Sequence, residues 1–154
     1  MTRIFVEKAK LSDIDQLTNL SIRSKAYWGY SDEFMQNCRA ELTITAEEFE
    51  QSSLYYKLVA SNKIVGFYGL EKLSTTMFEL DRLYVDPNHI GKGFGKRLID
   101  HAKETVTQLQ GNELIVQSDP HARKFYEASG GIVNGEKESG SIPGRFLPTL
   151  KFEI

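Results

Sequence analysis

Hydrophobic and polar positions alternate with two different periods along this chain, and the changes of period divide it into elements. Thr2 to Glu7 reads as a short strand. Ile14, Leu17 and Leu20 then recur at helical intervals behind Ser12 and Asp15, a capping-box pattern, predicting a first helix over about 13–26. Ser31 or Asp32 caps a second helix running through Leu42, and Thr45-Ala46-Glu47-Glu48 opens a brief third. From Tyr55 the period shortens: YYKLVAS, a turn at Asn62-Lys63, then IVGFYGLEKL read as a hairpin, and FELDRLYVDP as a further strand stopped by Pro87. Phe94, Leu98, Ala102, Val106 and Leu109 draw one apolar stripe along a helix whose other face carries Arg97, Asp100, Lys103 and Glu104. Gly111-Asn112 ends it. Strand ELIVQS follows, then a helix from Pro120 to Ser129 capped by Asp119 and stopped by Gly130, and two closing strands in GIVNGEKE and RFLPTLKFEI. The order βααα-βββ-α-β-α-ββ predicts an α/β fold with a mixed sheet.

Nothing resembling a Pro/Gly/Ser-rich linker or an internal repeat divides the 154 residues, so 1–154 is read as a single domain, burying roughly two thirds of its unfolded surface. A net charge of -2 supplies no global positive field for nucleic acid or an anionic membrane. The lone Cys38 excludes an intramolecular disulfide, and His89, His101 and His121 lack metal-ligand spacing, so no metal is expected. The N-terminus lacks a signal-peptide apolar core and no apolar run approaches ~20 residues, which together point to a cytoplasmic protein.

Between the strand ending at Pro87 and the striped helix lies HIGKGFGKRL, with Gly91, Gly93 and Gly95 at every second position. A helix N-terminus carries about half a positive charge, and glycines let backbone N–H groups converge on an anion. Lys92, Lys96 and Arg97 are in reach to neutralise it. The loop therefore reads either as a phosphate cradle or as a plain Gly-rich connection with solvated lysines. It is not a P-loop: three residues separate Gly91 from Gly95 where four are needed, and Arg97 stands where Ser or Thr belongs. Nor is GxGxG, after antiparallel-looking strands, the dinucleotide fingerprint.

The longer stretch LDRLYVDPNHIGKGFGKRLIDHAKE resembles motif A of the GCN5-related N-acetyltransferases, the GNAT family, and DPHARKFYEASGG resembles that family's N-x-x-A-x-x-F-Y-E-x-x-G-F block. The resemblance extends over essentially the whole chain. It implies a GNAT-like fold, a mostly antiparallel twisted sheet of about six to seven strands flanked by helices. It also implies acetyl-CoA as co-substrate and direct acetyl transfer to a primary amine of a small molecule or protein. By this likeness Leu83, Tyr84 and Val85 pair with the pantetheine arm, and Val85 N–H polarises the thioester carbonyl. Ile90, Gly91, Lys92, Gly93, Phe94, Gly95 and Lys96 surround the pyrophosphate. Ile90 stands where Gln or Arg is usual. Asp119 replaces the family's Asn, and Gly131 its Phe. Tyr126 matches the general acid, and Glu79 the base of the histone-acetyltransferase branch, with Asp81 or water as alternatives.

For the acceptor, Tyr27, Trp28, Tyr30 and Phe34 either hold an amine by cation–π contact or form core, with core expected for at least two. Trp28, Tyr30 and Glu79 are the substrate-side candidates, together with Arg145, which binds an acceptor carboxylate or is a surface cation. Cys38 reads as a buried structural thiol rather than an acyl carrier, lacking a neighbouring His. The different-class alternative is a non-catalytic acyl-CoA-binding regulatory module on the same fold. The chain is expected to be a monomer or homodimer, the closing strand RFLPTLKFEI being the edge that pairs with another chain.

Overall fold

The computed structural model describes residues 3–51 and 53–154, the side chain of residue 53 excepted. Among the described residues the elements run β1 (Ile4–Lys8), α1 (Ile14–Ala26), α2 (Asp32–Leu42), α3 (Ala46–Gln51), β2 (Ser53–Ala60), β3 (Lys63–Lys72), β4 (Met77–Val85), α4 (Phe94–Gln108), β5 (Glu113–Gln117), α5 (Arg123–Ala128), β6 (Ile132–Glu138) and β7 (Phe146–Glu153). This is the order read from periodicity. Thr2, expected to begin the first strand, lies outside the described residues.

Local chemistry explains the boundaries. Ser31 Oγ accepts from Phe34 N–H at 3.1 Å and caps α2; Thr45 Oγ1 accepts from Glu48 N–H at 3.1 Å and starts α3. Ser31→Ala is expected to cost about 1 kcal/mol, read as a lower urea midpoint. The capping box at Ser12/Asp15 does not form. A single 3-10 turn over Leu11–Asp13 precedes α1, so the carboxylate that reaches back is Asp13, accepting from Lys10 N–H at 2.8 Å. The hairpin turn falls one residue earlier than expected, at Ser61-Asn62. Both have positive φ (52° and 66°), as a two-residue turn matching the strand twist requires.

The strands form one sheet in the order β1-β2-β3-β4-β5-β7-β6, with β4–β5 parallel and the other pairs antiparallel. On one face α4 lays Phe94, Leu98, Ile99, Ala102 and Val106 against Leu58, Tyr68, Leu70, Phe78, Leu80 and Leu114. A smaller cluster on the opposite face joins Leu17 and Leu20 of α1 to Ile44, Tyr55 and Phe67. The strand β7 lies between β5 and β6, so the final strand is not an edge available to another chain. The sheet's edges are β1 and β6. Among the described residues no helix is long and apolar enough to cross a membrane.

Candidate active site

The parallel partners β4 and β5 stay paired only from Met77↔Glu113 to Leu80↔Val116. Beyond Leu80 they part. Asp81 is the extra residue of a bulge, since Leu80 faces Leu70 and Arg82 faces Gly69 on β3, and a bulge adds local twist where the strands separate. The remainder of β4 pairs with β3 alone. Asp86 N–H donates to Val65 O at 2.8 Å on that side, so strand alternation turns Val85 N–H the other way, toward the opening. A cleft of about 540 Å³ fills the splay, lined along β4 by Leu83, Tyr84 and Val85.

One end of the cleft is the start of α4. Gly91 and Gly93 have φ of +86° and +78°, the left-handed region that favours glycine, and Gly93 is the residue preceding the helix. Gly95 serves a different purpose: a Cβ there would lie 3.1 Å from the Phe125 ring, so the glycine lets α5 pack against α4. Ile90, Gly91, Gly93, Phe94, Gly95 and Lys96 all border the cleft. Lys92 does not; its ammonium rests 3.1 Å from His89 Nδ1, and it is His89 that lines the wall. Lys96 pairs with Asp100 at 2.7 Å, and Ile90, 48% exposed, offers no polar group.

Across from β4 stands Tyr126, 5% exposed, its ring edge-on to Phe125 and Phe152. Its hydroxyl has no hydrogen-bond partner among the described residues, and the residue lines the cleft. Burial, then the nearby Tyr84 and Asp119, hold its pKa well above the ordinary tyrosine value. The phenol is therefore a neutral donor.

Asp119 caps the turn before α5, accepting from His121 N–H at 2.9 Å. It is also a hub. Tyr30 Oη donates to its Oδ2 at 2.9 Å, Lys25 Nζ lies at 3.2 Å, and Arg145 at 3.5 Å while donating to Tyr30 Oη at 2.9 Å. Burial opposes the charge on Asp119, but the His121 N–H, Lys25 and Tyr30 together keep its pKa below the usual value. Arg145 and Tyr30, expected to face the acceptor, are thus committed to Asp119, and neither borders the cleft. Trp28 does. Its ring, 44% exposed, stacks on His121 at 4.9 Å and 1°, a contact across segments far apart in sequence.

None of the four aromatics expected to include core is buried. Tyr27 and Trp28 are exposed, and Tyr30 and Phe34 are half-buried and stacked at 4.1 Å under Lys25 and Arg145. They pack on one another and on cations rather than on the sheet. Cys38 is buried, 3.6 Å from Ser141 Oγ.

Glu79 and Asp81 line the far end of the cleft, and Glu71 joins them from β3, directly opposite Glu79 in register; their carboxylate oxygens lie within 4.8 Å of one another. Burial, then Asp81 and Glu71, raise the Glu79 pKa, with Lys137 opposing. Asp81, though exposed, shifts the same way through partial desolvation and the fields of Glu48, Glu71 and Glu41, against Arg82. The sequence reading missed Glu71, Glu41, His89 and His121. Strand register alone would have revealed Glu71; the others come from segments whose proximity no local pattern signals.

A strand left half-paired by a splayed neighbour and running into a glycine-led helix defines an α/β protein with a cleft at the end of its parallel strand pair. Residues 21–139 match the family model described as Acetyltransferase (GNAT) domain, and the chain belongs to the GNAT acetyltransferase family. It is 31% identical over 120 residues to the peptidyl-lysine N-acetyltransferase YjaB of Salmonella typhimurium, covering 77% of each chain. In fold it matches the PaiA N-acetyltransferase of Thermoplasma acidophilum in complex with coenzyme A (TM-score 0.81, 20% identity, 99% of both chains). It also matches a GNAT acetyltransferase of Elizabethkingia anophelis with acetyl-CoA bound (TM-score 0.71, 13% identity, 98% of both chains).

Proposed function

We propose that this N-acetyltransferase uses acetyl-CoA and passes the acetyl group directly to a primary amine, with no acetyl-enzyme. The carrying observation is the conjunction in one cleft of the unpaired edge of β4, the glycine-led N-terminus of α4 and the unpartnered Tyr126 phenol. The coenzyme A and acetyl-CoA held by the Thermoplasma and Elizabethkingia proteins support the choice of donor.

Acetyl-CoA supplies an activated thioester; the chain supplies positioning and charge stabilisation. The edge of β4 at Leu83, Tyr84 and Val85 receives the pantetheine amides as an added strand would. Val85 N–H is the donor for the developing oxyanion. The amides from Gly91 to Gly95 and the start of α4 hold the pyrophosphate, with Lys96 adding charge at the rim. Since Ile90 contributes no donor and Lys92 sits on His89, this cradle depends on main-chain groups. Asp119 has no amide to donate, and its role is to hold the cleft wall.

Tyr126 donates to the departing sulfur. An ordinary phenol near pKa 10 is about 1.5 units, about 2 kcal/mol, too weak an acid for a thiolate whose acid is near 8.5, and burial widens that gap. The phenol therefore acts as a hydrogen-bond donor, with proton transfer late.

Glu79 is the base, with Asp81 as its nearest substitute. An ordinary glutamate lies about 6 units below an ammonium near 10.4, about 8 kcal/mol, and the upward shift narrows the gap. Activity should fall as pH drops through the raised Glu79 pKa, because protonation removes the acceptor. Glu79→Gln is expected to lower kcat at neutral pH by about tenfold or more and to erase that acid limb in a kcat/KM pH profile. Retention of the limb assigns it to another group. The non-catalytic acyl-CoA-binding alternative gives no reason for an unpartnered phenol and a raised-pKa carboxylate to share the cleft. Cytoplasmic placement fits a single unpaired Cys38.

A further inference from the structure

We infer that β1 is a self-pairing edge, at which two copies of this chain join antiparallel and run their sheets into one. The surface stands apart from the cleft, since β2 and β3 lie between β1 and the cleft-lining β4.

The two edges of the sheet are built differently. A free strand edge offers its N–H and C=O groups to any chain that fits them, and natural sheets blunt such edges with bulges and charges. The strand β6 is blunted: its register against β7 shifts between Val133 and Gly135, and Glu136, Lys137 and Glu138 are exposed. The strand β1 is not. Its register against β2 is unbroken from Ile4↔Ala60 to Lys8↔Tyr56, and Ile4, Phe5 and Val6 follow one another half-buried. Ser61 N–H donates to Arg3 O at 3.3 Å and Ala9 N–H to Tyr55 O at 2.9 Å, so the odd-numbered residues turn their backbone groups toward β2. Those of Ile4, Val6 and Lys8 face outward. Among these outward groups Ile4 O accepts from Arg97 at 3.4 Å, and the others have no partner among the described residues.

This alternation restricts the register. Outward groups on even-numbered residues require an even-numbered residue opposite an even-numbered one. One such register sets Ile4 against the partner's Val6 and Phe5 against the partner's Phe5 on a two-fold axis, so that Arg3 meets the partner's Glu7 on both sides of it. The charges are disposed for this. Arg3 lies over its own Phe5 ring at 4.8 Å and makes no ion pair among the described residues. The Glu7 side chain is 48% exposed, and Lys57, at 3.6 Å from it, has a closer partner in Asp13 at 2.8 Å. A slip of two residues one way sets Ile4 against the partner's Lys8 and Phe5 against the partner's Glu7. A slip the other way sets Phe5 against the partner's Arg3 and leaves Glu7 without its arginine. Opposite charges and aromatic pairs stabilise facing cross-strand positions, which favours the first register. Ile4 and Val6 also pack at the margin of the apolar cluster beneath α4, so the partner's strand covers the open flank of that cluster. The occupant is a second copy of this chain, in a self-complementary contact that closes at two.

Sedimentation equilibrium of the full chain at micromolar concentration is expected to give twice the chain mass. Arg3→Glu sets like charges opposite each other twice per dimer and should raise the dissociation constant at least about tenfold. Val6→Pro should do the same, since it removes an outward N–H at an edge position where pairing with β2 does not use it. Combining Arg3→Glu with Glu7→Arg restores opposite charges and should return the constant to within about threefold of the wild type. Circular dichroism spectra should be unchanged throughout, which separates lost pairing from misfolding. A monomer across the micromolar range overturns the inference. So does a dimer indifferent to Arg3→Glu and Val6→Pro, or one that the double exchange fails to restore.

Discussion

Gly93→Asp is expected to weaken acetyl-CoA binding by at least about 100-fold, measured by calorimetry. Residue 93 precedes α4 in the left-handed region, and a Cβ built there meets nothing within 4 Å, so the substitution displaces no packing. What it adds is a carboxylate at the helix end where N–H groups and the macrodipole favour a phosphate. Each charge-assisted hydrogen bond lost contributes about 1.5–3 kcal/mol, and like-charge repulsion adds to that. Gly93→Asn separates charge from conformation, since Asn tolerates a left-handed φ. It should keep most of the affinity and an unaltered circular dichroism spectrum. Equal binding by the aspartate variant and the wild type would remove the pyrophosphate from this turn.

Tyr126→Phe should lower kcat by about 10–100-fold while leaving the acetyl-CoA Kd within about twofold. The ring's contacts with Phe125 and Phe152 survive the change. Deleting a cleft-facing hydroxyl that has no partner among the described residues costs no internal hydrogen bond, so the melting temperature should hold within a degree or two. A loss of activity accompanied by a matching loss of stability would reassign Tyr126 to the core. So would an unchanged kcat.

The parts of this molecule legible in its sequence are those encoded locally. The stripe from Phe94 to Val106 marks α4 because a helix needs one apolar face, and Ser31 and Thr45 announce helix starts because their oxygens reach N–H groups three residues on. The spacing of Gly93 and Gly95, read with the DPHARKFYEASGG block, marks two segments that the fold sets along one cleft. Register and long-range pairing were not legible. The bulge at Asp81, the meeting of Glu71 with Glu79, and the capture of Arg145 and Tyr30 by Asp119 arise from strands and loops brought together by the sheet order. The four aromatics from Tyr27 to Phe34 misled for a related reason. A cluster of rings reads as core, whereas here the rings find one another, His121 and two cations, and of the four Trp28 alone borders the cleft. Gly95 carries a similar lesson, since the Phe125 ring beside it decides its use.

Direct transfer from acetyl-CoA to an amine within this cleft is open to a single-turnover quench experiment. Protein in excess over acetyl-CoA is mixed with the amine giving the fastest CoA release and analysed by intact-protein and small-molecule mass spectrometry. Acetylated amine is expected to appear in step with free CoA, with no acetylated protein at any time, and omitting the amine should leave acetyl-CoA intact. Accumulation of an acetylated protein that then decays to product, or CoA release without acetylated amine, would contradict direct transfer.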